Sequence, residues 1–245
     1  MNEMISLLMN HRSIRKFKNE DITSEQLHTI IRCGQMASTS SHMQAYSVIR
    51  ITDKELRAQL AALAGNQAYV AEAPEFLVWC ADLQRLGVAI GMVEEERKWN
   101  DSAENFLVSA VDTALAAQNA AVAAESMGLG IVYIGGIRNQ LGEVTKLLKL
   151  PKHVFPVFGM CIGIPDQEPS AHPRLPLEAI IHENSYSSDQ YDSLLKRYND
   201  TISQYMNERT GGKRTSGWSE MMAAKSKQPE RLHEETLRGQ GFGFK

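Results

Sequence analysis

The chain is poor in cysteine. Its three, Cys33, Cys80 and Cys161, are odd in number, far apart and set in apolar runs or helices. None has a metal-site or redox spacing, which argues against a disulfide scaffold or a zinc ribbon. Inert thiols of this kind suit a reducing cytoplasm. An uninterrupted apolar span is missing too. The opening MNEMISLLMNH has acids and amides inside its apolar stretch, so it does not read as a signal peptide. The most apolar long segment, Phe106–Met127, is Ala-rich but carries Asp112, Gln118, Asn119 and Glu125, and reads as a buried helix rather than a membrane span. There is no excess of positive charge. The net charge is −3, which excludes a nucleic-acid binder by electrostatics alone. The chain contains no GxxxxGK[ST], no GxSxG elbow and no HExxH.

What is present is an ordinary globular composition. The 245 residues are 43% apolar and 22% charged, enough for one large domain or two small ones. Charge is uneven. From Asn207 to Lys245, eight Lys/Arg face five Asp/Glu, a local +3 that leaves −6 for the rest. A basic tail on an acidic body suits a small anionic ligand.

Apolar periodicity predicts a first helix around Met4–Met9 and a second to about Met36, opened by a Thr23/Gln26 capping box. Strands are predicted at Tyr46–Ile51, Phe76–Ala81, Ile131–Ile134 and Phe155–Ile164. Thr52 with Glu55 predicts the cap of a helix ended by Gly65. Residues 83–103 read as a polar, irregular excursion. A long helix runs from about Glu104 to Gly128, a shorter one carries Val144, Leu147 and Leu148, and a last amphipathic helix spans roughly Gln190–Glu208. Without regular βαβ alternation the fold class is α+β, with a central mixed sheet flanked by helices. The whole chain reads as a single domain, with a basic extension from about residue 207.

The chemistry-bearing pieces are few. Gly128-Leu129-Gly130 begins like a GxGxxG, but Tyr133 occupies the third position and a helix precedes it, so Gly128 reads as a helix C-cap. Tyr133-Ile134-Gly135-Gly136 is either a tight turn or a backbone approach to a ligand. Three pieces are basic: HRSIRKF (11–17), the proline-bracketed His172-Pro173-Arg174-Leu175-Pro176, and Arg209 with Lys213 and Arg214. Each reads as a solvated surface or as an anion grip, and arginine forks match phosphate geometry. The Ser/Thr run at 38–41 is a donor-rich loop or a linker. Read as a nucleophile with His11, it would make a hydrolase.

Taken in order, HRSIRKF, STSSHMQ, AGNQAYV, AAQNAAVAAESMGLG, YIGGIRN, PRLP and HENSY resemble the nitroreductase family, in particular its NADPH-dependent group of oxygen-insensitive nitroreductases and flavin reductases. The resemblance implies an intertwined homodimer, with the long Ala-rich helix at its core and two FMN molecules at the interface. It implies that His11, Ser13 and Arg174 bind the FMN phosphate, with Arg12 packing beside it. Arg15 would face the N1/O2 edge of the ring system, Gln67 the pyrimidine edge, and Tyr133, Ile134, Gly135 and Gly136 the N5 edge. Thr39, Ser40, Ser41 and Gln44 would reach FMN in part from the partner subunit, and Arg209 and Arg214 would meet the 2′-phosphate of NADPH. The implied reaction is a ping-pong two-electron reduction of flavins, nitroaromatics, quinones or azo compounds. No side chain is implied as acid or base, and neither nucleic acid nor membrane as partner. A non-catalytic flavin-binding protein of the same fold is the alternative. One departure stands out: His172 lies where the family usually has lysine, which implies FMN affinity falling more steeply above neutral pH.

Overall fold

The computed structural model describes residues 2–94, 102–231 and 233–243. The chain forms two compact units. One is built from residues up to Pro169 together with the segment from Arg231 onward; the other is Ser170–Glu230.

The first unit contains helices α1 (Glu3–Met9) and α2 (Ser24–Gln35), strand β1 (Tyr46–Arg50), helices α3 (Lys54–Leu63) and α4 (Ala68–Glu72), and strand β2 (Glu75–Asp82). Helices α5 (Gln84–Ile90) and α6 (Ala103–Ser126), strand β3 (Gly130–Ile134), helix α7 (Leu141–Leu147) and strand β4 (Val154–Gly163) follow. The second unit holds α8 (Tyr191–Thr210) and α9 (Trp218–Ser226). The chain then returns to the first unit with α10 (Glu234–Gly239).

The α+β class and the long helix are as the sequence predicts. The sheet differs in detail. Its order is β1-β2-β4-β3, and all three pairings are antiparallel. Among the described residues, parallel pairing is confined to an isolated bridge between Ser13 and Ile131. The capping box of α2 is formed as predicted, with the Thr23 hydroxyl accepting from Gln26 N and the Gln26 side chain accepting from Thr23 N. The cap of α3 is Asp53 rather than Thr52. The Asp53 carboxylate accepts from Leu56 N at 2.7 Å, because Ile51 N is still bonded to Phe76 O and delays the helix by one residue. Part of the predicted excursion is helical, as α5, while residues 95–101 lie outside the described residues.

Burial explains the layers. Every residue of β2 is buried, as expected of a strand covered on both faces. On one face, Trp79, Leu77 and Met160 pack against the alanine face of α6 (Ala116, Ala117, Ala120, Ala121, Ala124) and against Leu27 and Ile30 of α2. Small residues allow this closeness: a Cβ on Gly34 would sit 3.0 Å from Ala116 O. The opposite face packs Phe76, Val78 and Val132 against Leu60, Val70 and Val144. A third cluster joins Ala81, Leu83 and Phe155 to Leu237 and Phe242.

Helix α6 is long and apolar enough to cross a membrane, but its Asp112, Thr113 and alanine face are buried inside the unit, as in a core helix. Its other side is bare. Leu107, Val111 and Leu115 repeat every four residues at 57%, 45% and 44% exposure, and Met4, Ile5, Leu8 and Met9 of α1 are exposed as well.

The thiols divide by environment. Burial pushes Cys80 and Cys161 up to about 12, while Cys33 is only partly buried. Since the thiolate is the nucleophile, the native protein is expected to titrate at most one thiol with a disulfide reagent at pH 8, and three after unfolding. Three in the native state would contradict this packing.

Candidate functional site

Segment 11–18 is laid down along the sheet. Ile14 N donates to Ile131 O at 2.9 Å, Lys18 N to Ile164 O at 2.9 Å, and Asp166 N returns to Lys16 O at 2.9 Å. Ile14 fits against Gly130, where any Cβ would lie 2.5 Å from its side chain. A basic segment near the start of the chain is thereby fixed beside the strand that ends at Gly135-Gly136.

Each polar side chain of the segment has its own environment. His11 Nδ1 meets Glu125 Oε1 of α6 at 2.6 Å, which leaves Nε2 outside that contact. Arg12 reaches the exposed Glu168 at 3.5 Å, yet its Nε is buried and has no acceptor among the described residues. Arg15 is exposed and has no ion-pair or hydrogen-bond partner among the described residues.

At the end of β3, Tyr133 donates to Gln118 Oε1 at 3.3 Å and packs edge-on against Phe158, with ring centroids 5.0 Å apart. Burial, reinforced by Glu125, pushes its phenol well above the usual range. Ile134 is buried, and Gly135–Arg138 forms a single 3₁₀ turn. Gln67 is held beside this turn. Its Nε2 donates to Ala64 O at 2.8 Å and its Oε1 accepts from Tyr69 at 2.6 Å.

The two glycines differ. A Cβ on Gly136 would run into the Ala64 carbonyl oxygen and lie 2.7 Å from Gln67 Nε2; on Gly135 the nearest atom is Arg138 NH2 at 3.7 Å. Gly136→Ala is therefore expected to cost about 1–3 kcal/mol by overpacking, whereas Gly135→Ala stays within about 0.5 kcal/mol. Thermal unfolding of both variants checks the contrast, and equal losses would refute it.

Loop 39–44 is shaped by one buried carboxylate. Asp112, 1% exposed, accepts from Ser40 N and Ala45 N, each at 3.0 Å. Between these anchors Ser41, His42 and Gln44 adopt positive φ (47°, 59° and 52°), and Gln44 N donates to Thr39 Oγ1 at 3.4 Å. Among the described residues no hydrogen bond joins this loop to segments 11–17 or 133–136. The structure thus sets Gln67 against Gly136 and pairs Ser13 with Ile131, on the strand that leads to the two glycines.

In the second unit, Arg209 NH1 lies 2.8 Å from His172 Nε2 and 3.4 Å from Tyr205 OH. The guanidinium can only donate, so Nε2 is the acceptor and carries no proton in this contact. Tyr198 donates to Pro173 O at 3.0 Å; burial raises its phenol, while the nearby charge of Arg174 pulls it back. Arg214 follows the left-handed turn at Gly211 (φ +59°) that ends α8, and its N donates to Thr210 Oγ1 at 2.9 Å. None of the candidate residues lines the surface depression between α2 and β1 (Leu27, Ile31, Val48, Leu77) or the one formed by Leu177, Ile181, His182 and Tyr191.

Two positioning residues escape sequence reading, Asp112 and Glu125. Both stand out as acids in an Ala-rich helix, but nothing in the sequence links them to partners 67 and 114 residues away.

The chain is similar to known proteins along nearly its whole length. The chain is 46% identical to "FMN reductase (NADPH)" of Bacillus subtilis, over 95% of each chain. It is 45% identical to "Oxygen-insensitive NADPH nitroreductase" of Salmonella typhimurium, over 90% of this chain and 89% of that one. The solved structure of B. megaterium NfrA1 superposes with a TM-score of 0.94 at 47% identity, covering 98% of this chain and 99% of the other. The profile of the Nitroreductase family matches residues 8–164, and that of the Nitroreductase family, C-terminal domain, residues 172–245. With the strand-end glycines, the pinned basic segment and matches along nearly its whole length, the chain belongs to the nitroreductase family.

Proposed function

We propose that the protein is an FMN-dependent oxidoreductase that takes electrons from NADPH and passes them, by a ping-pong sequence, to flavins, nitroaromatics, quinones or related acceptors. The observation that carries this is the bridge from Ser13 to Ile131, which lays the basic segment along the strand ending in Gly135-Gly136. The donors fit the cofactor. Among the described residues Arg12 Nε is buried without an acceptor and Arg15 has no ion-pair or hydrogen-bond partner, and the strand end offers backbone N–H groups with no Cβ at either glycine.

When bound, FMN supplies two-electron chemistry at N5 that no side chain here provides. His11, Ser13 and Arg174 hold its phosphate, with His172 and Arg12 nearby. Glu125 fixes the orientation of His11 and leaves the other ring nitrogen for the phosphate. Arg15 stabilises negative charge at the N1/O2 edge. Gln67 addresses the pyrimidine edge, and Tyr133, Ile134, Gly135 and Gly136 the N5 edge. Thr39, Ser40, Ser41 and Gln44 serve a cofactor shared with a second copy of the chain. That copy covers the bare faces of α1 and α6, which are apolar and at helical spacing. Arg209 and Arg214 take the 2′-phosphate of NADPH. The basic stretch from about residue 207 serves that donor and the dimer, and unpaired thiols suit the cytoplasm.

Purified protein is expected to be yellow and to bleach anaerobically with NADPH. Protein that binds no FMN would overturn the proposal, and yellow protein that does not bleach would leave only binding. Arg209→Ala or Arg214→Ala is expected to raise KM for NADPH by about 10–100-fold, the worth of a charge-assisted hydrogen bond, while KM for NADH changes little. Equal effects on both donors would remove the two arginines from the 2′-phosphate.

A further inference from the structure

Four arginines of the first unit pair with carboxylates: Arg12 with Glu168, Arg50 with Glu75, Arg85 with Asp82 and Arg238 with Glu234. Among the described residues Arg15, Arg32, Arg57, Arg138 and Arg231 do not, and the last two meet at one glycine. Arg138 NH1 donates to Val157 O, and its NH2 points toward Gly135, 3.7 Å from where a Cβ would stand. Arg231, from the returning segment, donates to Gly135 O over a long 3.3 Å and is otherwise exposed. Two guanidinium groups thus flank one glycine, with His233 beside them and no carboxylate bonded to any of the three among the described residues. Their mutual repulsion shows. Burial, and then Arg231, lowers the Arg138 guanidinium; burial, and then Arg138 and Arg231, lowers the His233 imidazole. Uncompensated like charges, held together beside a turn that also offers backbone donors, are the complement of an anion.

We infer that Arg138, Arg231 and His233 form a subsite beside Gly135 for a phosphate or similar tetrahedral oxyanion carried by the electron acceptor, so that a phosphorylated flavin is a better acceptor than an unphosphorylated one. The inference rests on the proposed function, in which Gly135 belongs to the ring-facing turn. Charge selects the class. A dianion satisfies two guanidinium groups and an imidazole that gains a proton on its arrival, whereas a neutral quinone leaves all three unmet. In the proposed function the other phosphates already have their own partners: His11, Ser13 and Arg174 for the bound cofactor, Arg209 and Arg214 for the 2′-phosphate.

The test compares FMN with riboflavin, which has the same ring and no phosphate, as acceptors for NADPH-reduced holoenzyme. The expected result is that Arg231→Gln, and separately Arg138→Gln, lowers the FMN-to-riboflavin ratio of kcat/KM by about tenfold or more, with riboflavin reduction unchanged. Inorganic phosphate should compete with FMN but not with riboflavin. An unchanged ratio in both variants overturns the subsite. So does a rise in KM for NADPH alone, which would give these cations to the donor. A second readout needs no turnover. Inorganic phosphate should shift the His233 ring resonances of the wild-type protein and not those of Arg231→Gln; no shift overturns the subsite. If wild-type protein is never bleached by NADPH, the proposed function fails instead, and the phosphate titration alone decides the subsite.

Discussion

Arg15→Gln is expected to slow anaerobic bleaching of FMN-loaded protein by NADPH about 10²-fold, while FMN affinity falls less than about tenfold. Ser13→Ala is expected to do the reverse. The asymmetry follows from geometry. Arg15 extends from a segment pinned at Ile14 and Lys18, yet its own guanidinium is exposed and bonded to nothing in the described chain. A cation held by its backbone and left free at its tip has its charge available for a partner that becomes more negative during reaction. Ser13, the bridge residue itself, offers one neutral donor, which helps to retain a phosphate but does little for charge developing on the ring. Stopped-flow reduction measures the first effect, and quenching of FMN fluorescence the second. Parallel losses in both assays for both variants would sink the division of roles.

The second large effect is expected at Asp112. Asp112→Ala strands the buried Ala45 N–H, at about 1–3 kcal/mol, and removes the acceptor of the part-buried Ser40 N–H at a smaller cost. A total near 3 kcal/mol corresponds to a melting temperature lower by roughly 6–12 °C in a chain of this size. More than stability is at stake. The carboxylate holds both ends of a loop in which Ser41, His42 and Gln44 adopt a left-handed backbone, itself worth about 1 kcal/mol or more of strain apiece. Without the anchor the loop relaxes, and FMN affinity is expected to fall as well. Thermal unfolding of the variant with and without FMN separates the two consequences. A loss of stability with FMN affinity intact would show that residues 39–44 do not touch the cofactor.

Features that depend on neighbours in sequence were legible, and those that depend on distant partners were not. The Thr23/Gln26 capping box is a local exchange of hydrogen bonds, and its residues sit where the pattern requires. Strand β2 announces itself by an unbroken apolar run. The start of α3 was misplaced by one residue, because Thr52 and Asp53 are both good caps and the choice is made by a strand pairing at Ile51. A mixed sheet was expected because strand direction is not encoded in the strand: Phe76–Ala81 reads the same whichever way its neighbours run. At the site, the basic segment and the glycine pair were each visible as motifs. Their meeting was not, because it rests on the bridge from Ser13 to Ile131. Arg231 was the least legible, since nothing in its exposed, polar surroundings points across 96 residues to Gly135.

The return of the chain to its first unit has a consequence for biosynthesis. Leu237 and Phe242 complete the cluster with Ala45, Ala81, Leu83, Leu141 and Phe155, and the Gln240 side chain ties Pro151 O and Val154 O at 2.8 and 2.9 Å. The ribosome makes the whole of Ser170–Glu230 before it reaches these residues. At about 5–20 residues per second, the nascent first unit therefore waits several seconds with an apolar slot open beside Phe155. During that interval the slot is the natural place for a chaperone to hold the polypeptide, or for two nascent chains to stick together.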